Sequence, residues 1–155
     1  PSDVSALVVG AGGIAKAIIT ALKKRGISSI LIANRTLEKA KQLAANFSIK
    51  WIDLSEINQT SSNFLINATS VGMFPDVEGC LFEDSQIKNV DFVMDVPTNP
   101  METQLCKLAK RNYIQVIPGS LISLHQAARQ FKLYTGNQAP LDVMQLAMAK
   151  LFHSN

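Results

Sequence analysis

The chain has 155 residues, a formal charge of +3, and a composition that is 47% hydrophobic, 17% charged and 6% aromatic. That length fits one domain burying roughly two-thirds of its unfolded surface, with no second core. The mild charge without a lysine-arginine run excludes a backbone-tracking nucleic-acid surface, no apolar stretch reaches membrane-spanning length, and Cys80 and Cys106 are too distant for a metal-ligand pair and too few for a disulfide framework.

In chain order, Ser5-Ala6-Leu7-Val8-Val9 reads as a buried strand running into glycines. Ile14, Ala17, Ile18, Ala21 and Leu22 then recur at helical spacing up to Lys23-Lys24-Arg25-Gly26, a basic last turn closed by glycine. Residues 29–33 predict a second strand, and Leu37, Ala40, Leu43, Ala44 and Phe47 give a second helix its apolar face. A short strand is expected at 49–51, a short helix behind the capping-box pair Asp53 and Glu56, and a fourth strand at 64–67. The polar stretch from Thr69 to about Glu83 reads as a loop long enough to suggest function.

Residues 90–95 predict the fifth strand. Asn99-Pro100-Met101-Glu102 reads as a helix start, with Asn99 as cap and Glu102 reaching back, continued by Leu105, Leu108 and Ala109. A last strand at 113–117 and helices at 120–134 and 140–152 close the chain. Strands alternating with helices predict an α/β fold of the Rossmann type, a doubly wound, mainly parallel sheet with helices on both faces and its ligand at the carboxyl ends of the strands. The final helix, with Leu141, Met144, Leu146, Ala147, Met148, Leu151 and Phe152, is apolar around more of its circumference than a surface helix needs. A covering partner is therefore expected, with a homodimer through this helix as one form of it.

The chemistry starts at Gly10-Ala11-Gly12-Gly13-Ile14-Ala15. Gly10 permits the tight turn, Gly12 lets backbone approach a pyrophosphate at the helix N-terminus, and Ala15 takes the close-packing third position, so a dinucleotide is the expected ligand. The second strand ends in Asn34-Arg35-Thr36, with Lys39 one helical turn on. An acidic residue there would favour NAD. Arginine, a hydroxyl and lysine instead favour the 2′-phosphate of NADP. The alternative makes Thr36 a helix N-cap and leaves Arg35 and Lys39 as solvated charges, and capping is compatible with phosphate binding.

Gly10 to Gly13 with Asn34, Arg35, Thr36 and Lys39 resembles the NADP-binding domain of shikimate dehydrogenases, a pattern shared in large part by glutamyl-tRNA reductases. Asn67-Ala68-Thr69-Ser70-Val71-Gly72-Met73 is similar to the Asn-Ala-Thr-x-x-Gly-Met segment of the shikimate dehydrogenase group and, with Gln126, disfavours the reductases. Asp95 to Pro100 with Glu102-Thr103, and Gly119 with Gln126, Ala127, Ala128, Phe131, Thr135 and Gly136, extend the resemblance over nearly the whole chain. It implies that Val96, Gly119 and Ile122 lie against the nicotinamide, that Thr69 and Ser70 with Asn67, Ala68 and Met73 stand near the adenosine, and that Gln126 hydrogen-bonds substrate across the cleft. Each also has a plain structural reading, Gln126 as a surface amide, Gly119 as a turn residue, and Thr69 and Ser70 as loop hydrogen-bonders.

Two departures matter. Thr98 stands where the family usually has a substrate-contacting tyrosine, and Leu121 and Ile122 stand where glycine and methionine are common. Loss of the phenol favours a divergent member with an altered substrate over shikimate itself. The family's catalytic lysine and aspartate belong to an N-terminal substrate domain with no counterpart here, so no catalytic residue is assigned. Lys16, Lys39 and Asp95 are poor substitutes, and His125 and His153 form no metal or triad pattern. The resulting expectation is a cytoplasmic NADP-dependent oxidoreductase, present here as its cofactor domain over residues 1–155 and inactive alone. It would reach a small-molecule substrate through the missing domain, without nucleic acid, membrane or metal. The start at Pro1 suggests an excised or processed chain. A stand-alone nucleotide-binding or assembly module is the alternative.

Overall fold

The computed structural model describes residues 4–153, with side chains through residue 150. The expectations placed on Pro1, on the side chains of Leu151 and Phe152, and on His153 lie outside the described residues. Six strands form one sheet: β1 (Ser5–Val9), β2 (Ser29–Ala33), β3 (Lys50–Trp51), β4 (Phe64–Asn67), β5 (Phe92–Asp95) and β6 (Gln115–Pro118), in the order β3-β2-β1-β4-β5-β6. Every pair is parallel. The connecting helices are α1 (Gly13–Lys24), α2 (Leu37–Phe47), α3 (Asp84–Ile87), α4 (Gln104–Arg111), α5 (Gly119–Thr135) and α6 (Leu141–His153), with a 3-10 helix at Leu54–Gln59. Among the described residues no helix is long and apolar enough to cross a membrane.

Alternation along the strands divides the core in two. Ala6, Val8, Ile30, Ile32 and Ile66 face Ala15 and Ile19 of α1 and Ala40, Leu43 and Ala44 of α2, whereas Leu7, Val9, Leu65 and Val93 face Ile57, Ile87, Leu105 and Ala109. Burial on both faces explains the unbroken apolar runs of β1 and β2. The chain order reverses between β1 and β4, which opens a crevice at the carboxyl ends of those strands.

Three local expectations are corrected. Residues 99–102 do not begin a helix; α4 starts after Thr103, whose side chain accepts a hydrogen bond from the Cys106 amide, while Glu102 turns to pair with Lys110. The buried Asp95 carboxylate holds Thr103 in place, so a tertiary contact overrides the local Asn-Pro signal. A short helix, α3, interrupts the stretch between the loop and β5, because Gln86 is drawn inward to donate to the Ile57 and Thr60 carbonyls. β5 and β6 also start later than the apolar runs: Tyr113 is a positive-φ turn residue and 97% exposed, and pairing of β5 begins only at Phe92. The capping box at Asp53 and Glu56 forms as expected.

The turn after β1 is clamped from both sides. The Gly10 amide donates to the Ala33 carbonyl, and the Ala68 amide donates to the Val9 carbonyl, each at 2.8 Å. Gly10 has φ +118°, and an added Cβ would sit 2.6 Å from the Ala68 carbonyl oxygen. Backbone, not a movable side chain, would be struck. Gly10→Ala should lower unfolding free energy by about 3 kcal/mol, the scale of strained backbone combined with a core clash, whereas Gly12→Ala, whose Cβ meets nothing within 4 Å, should stay within about 1 kcal/mol. Urea unfolding of the two variants compares them directly.

Candidate functional site

The crevice at the switch point is a groove of about 360 Å³. Its floor is the glycine turn, with Gly10, Ala11 and Gly12; one wall is Asn34, Arg35, Thr36 and Lys39; the other is Ala68, Thr69, Ser70 and Val71. Gly12 occupies the N-cap of α1 and no side chain caps that helix, so its first-turn amides remain open to a ligand. No acidic residue lines the groove. Among the described residues Arg35 and Lys39 have no ion-pair partner, while neighbouring Lys41 pairs with Glu38. Thr36 takes the N-cap position of α2, yet its hydroxyl makes no capping bond and its carbonyl accepts from the Asn34 side chain. The capping alternative for Thr36 therefore holds in position only.

A buried polar cluster supports the Thr69 wall. Asp95 at the end of β5 is fully buried and lies in register with Asn67 of β4. Its carboxylate accepts from Asn67 Nδ2 at 2.7 Å, from the Thr103 hydroxyl and from the Cys106 thiol at 3.8 Å. Burial pushes the Asp95 carboxyl above its ordinary range, opposed by these three donors, and burial likewise raises the Cys106 thiol so that it stays protonated. Asn67 passes the constraint on. Its Nδ2 also donates to the Val71 carbonyl, its Oδ1 accepts from the Thr69 amide and hydroxyl, and Thr69 Oγ1 in turn accepts from the Val71 amide. With both carboxylate oxygens engaged and no exposure to solvent, Asp95 fixes structure and is not placed to exchange protons.

Of the other residues singled out from the sequence, Gly13, Ile14 and Ala15 form the first turn of α1, with Ala15 fully buried under it. Met73 turns back on Ser70, its amide donating to the Ser70 carbonyl. Val96 and Gly119 meet at the far side of the switch point: an added Cβ on Gly119 would lie 2.1 Å from the Val96 carbonyl oxygen and 2.3 Å from that of Pro97. Only glycine permits this junction of β5 and α5. Ile122 and Gln126 follow on α5, with Gln126 exposed, and Thr98 lies half-buried on the loop after β5. None of these last five lines the 360 Å³ groove.

Sequence reasoning missed Val9, Leu54, Val71 and Leu81, which also line the groove. They give it apolar patches suited to a flat heterocyclic ring. Leu54 was discoverable from its place behind the capping box after β3, at the carboxyl edge of the sheet; Leu81 carries no local signal. A larger hollow of about 540 Å³ lies among Val4, Ala21, Leu22, Arg25, Ile27, Phe64 and Phe92, at the amino ends of the strands. Phe64 and Phe92 stack there with ring centroids 4.9 Å apart, but the hollow is away from the switch point.

The groove's open amides, cations and apolar patches together fit a phosphorylated dinucleotide. Comparisons with known proteins agree. The sequence pattern of the family described as shikimate / quinate 5-dehydrogenase matches residues 2–97, and that of the shikimate 5′-dehydrogenase C-terminal domain matches residues 123–147. The chain is 40% identical over 138 residues to the NADP(+) shikimate dehydrogenase of Caldanaerobacter subterraneus, a match covering 84% of this chain and 49% of that protein. Shikimate 5-dehydrogenase of Thermus thermophilus, solved with NADP(H) and shikimate, has a similar structure, with a TM-score of 0.81 at 28% identity over 94% of this chain and 54% of that one. Quinate dehydrogenase of Corynebacterium glutamicum, solved with NAD, gives 0.85 at 28% identity over 96% and 56%. The chain spans about half the length of the curated relatives it matches.

Thr103 offers a clean test of the buried cluster. Thr103→Val removes both a donor to a buried carboxylate and the cap of α4, and should cost about 3 kcal/mol in urea unfolding, whereas Thr103→Ser, which keeps the hydroxyl, should cost less than about 1 kcal/mol.

Proposed function

This chain belongs to the shikimate / quinate 5-dehydrogenase family, and on that premise we propose that it is the NADP-binding domain of a shikimate dehydrogenase-like oxidoreductase. The whole protein would move a hydride between NADP(H) and a cyclic hydroxy or keto acid, shikimate and 3-dehydroshikimate or a relative of them. The observation that carries the cofactor choice is the basic, carboxylate-free end of β2, where Arg35, Thr36 and Lys39 line the groove. A carboxylate at that place would bind ribose hydroxyls and repel a 2′-phosphate. NADP, when bound, supplies the hydride donor or acceptor.

The chain's own residues bind and orient. Gly10 and Gly12 keep backbone close and amides open for the pyrophosphate. The Arg35 guanidinium offers a planar pair of donors to the 2′-phosphate, with Lys39 adding charge and Thr36 a hydroxyl. Thr69 and Ser70 wall the adenosine side, held by Asn67. Val96, Gly119 and Ile122 form the surface for the nicotinamide, and Thr98 and Gln126 face the substrate side. Thr98 carries a short hydroxyl, which suits a substrate differing from shikimate in its ring substituents. Proton transfer to or from the substrate oxygen requires a positioned acid or base. We assign that group to a substrate domain outside this chain, so the chain alone binds cofactor without turnover.

The same proposal gives the C-terminal helices a partner. Leu133 and Tyr134 of α5 and Leu141, Val143 and Leu146 of α6 are exposed, apolar side chains for the substrate domain to cover and, in its absence, for a second copy of the chain.

Two measurements test this reading. Calorimetric titration should show NADP binding more tightly than NAD, and Arg35→Ala should weaken NADP by about tenfold or more while barely changing NAD, as loss of a charged hydrogen-bonding pair implies; an unchanged preference removes the selectivity mechanism. Light scattering should show the mean mass rising with concentration, and compact monomer throughout counts against the apolar surface as a contact.

A further inference from the structure

A second groove, of about 260 Å³, opens between α1 and α2 and is lined by Ala11, Lys16, Lys39, Gln42, Leu43 and Asn46. It shares Ala11 and Lys39 with the main groove, so the two adjoin at the basic end of β2. Lys39, Gln42, Leu43 and Asn46 fall at helical positions i, i+3, i+4 and i+7, one face of α2. Lys16 approaches from the first turns of α1. Apart from the apolar Ala11 and Leu43, the side chains here are two ammonium groups and two amides, with no carboxylate among them. Neither Lys16 nor Lys39 has an ion-pair partner among the described residues, whereas Lys41, Lys88 and Lys110 each have one. Two ammonium groups with no carboxylate beside them, and two amides able to turn their N–H groups inward, suit an anion.

The position says which anion. Lys16 does not line the main groove, where the glycine turn would meet a pyrophosphate, but it lines the annex that adjoins that groove at Ala11 and Lys39 and runs between α1 and α2. Resting on the dinucleotide reading above, we propose that the phosphomonoester on the adenosine ribose sits where the two grooves meet at Lys39, held from the main groove by Arg35 and Thr36, and that Lys16 is a specificity-determining residue closing on it from the annex side of α1. A phosphomonoester carries close to two negative charges at neutral pH and three acceptor oxygens spread around the phosphorus; Arg35 and Lys39 match that charge from the α2 side, and Lys16 adds a charged donor from the α1 side. Gln42 and Asn46 provide amide donors further along the annex. The cofactor is thereby gripped from both helices, and selectivity does not reside in the Asn34-Arg35-Thr36 turn alone.

The test titrates this chain and its Lys16→Gln, Lys16→Arg and Arg35→Ala variants with NADP, NAD and adenosine 2′,5′-bisphosphate. Lys16→Gln should weaken NADP and the bisphosphate by about fivefold to tenfold, as expected for one partly exposed charged hydrogen bond, and leave NAD within about twofold. Lys16→Arg should retain most of the affinity, and the Lys16→Gln deficit should shrink at high salt. Equal weakening of NADP and NAD would place Lys16 on the pyrophosphate and overturn the inference. An unchanged NADP-to-NAD ratio in Lys16→Gln, with a changed ratio in Arg35→Ala, overturns it while leaving the cofactor reading intact. An unchanged ratio in both variants removes the two together.

Discussion

The carboxylate of Asp95 is the constraint on which the site depends. It sits without solvent exposure at the end of a central strand and gathers donors from β4, from the cap of α4 and from the first turn of that helix. Placing an ion there carries a desolvation cost that is tolerable only while those donors are present. The arrangement consumes all of Asn67 as well, since both amide hydrogens and both oxygen lone pairs are engaged, with Asp95, Val71 and Thr69. Asn67 therefore has one available orientation, and the wall formed by Thr69 to Val71 inherits it. The first turns of the loop after β4 are thus tied to β5 through side chains, where the strand ladder has ended.

Against this rigid wall stands a different kind of surface. The opposite side of the groove carries two long cations, Arg35 and Lys39, with no counter-charge among the described residues, and its floor is the glycine turn, where only the Ala11 methyl projects. One side gives shape and the other gives charge. That division suits a ligand with a flat ring at one end and phosphates along its length, and it explains why the chain's mild net charge of +3 is informative only after the positions of three cations, Lys16, Arg35 and Lys39, are known.

What could be read from the sequence follows the range of the interactions involved. That the glycine turn, the basic end of β2 and the segment after Asn67 would meet at one groove was legible because each is a run of adjacent residues whose local geometry is set by strand, turn and helix start. The start of α4 was misplaced for the opposite reason. Asn99-Pro100 is a sound local cap, but Thr103 has a partner eight residues back in the buried core, and no window of sequence contains that preference. Gln86 reaching to Ile57 and Thr60 produced α3 by the same kind of distant contact. Leu81 and Val71 reached the groove because the loop folds back on the sheet, which an apolar residue in a polar stretch does not announce. The parallel sheet and its helices needed none of this, since continuous apolar strands alternating with amphipathic helices have few other ways to be buried.

The switch point has a further consequence, in the order of assembly. β1 takes β2 on one side and β4 on the other, and Asn63 at the start of β4 binds Ser5 across a separation of 58 residues. Local βα pairing of the first half can form early, whereas closing β4 onto β1 carries the entropy of that long loop and comes late. The groove draws on both sides of β1, so it exists only once that closure is complete. Any ligand seated there binds the finished sheet and nothing before it, and at a hundredfold excess over its dissociation constant adds about 2.7 kcal/mol to the unfolding free energy. A ligand in that groove is thereby a keystone of the fold, set in place after the sheet that holds it.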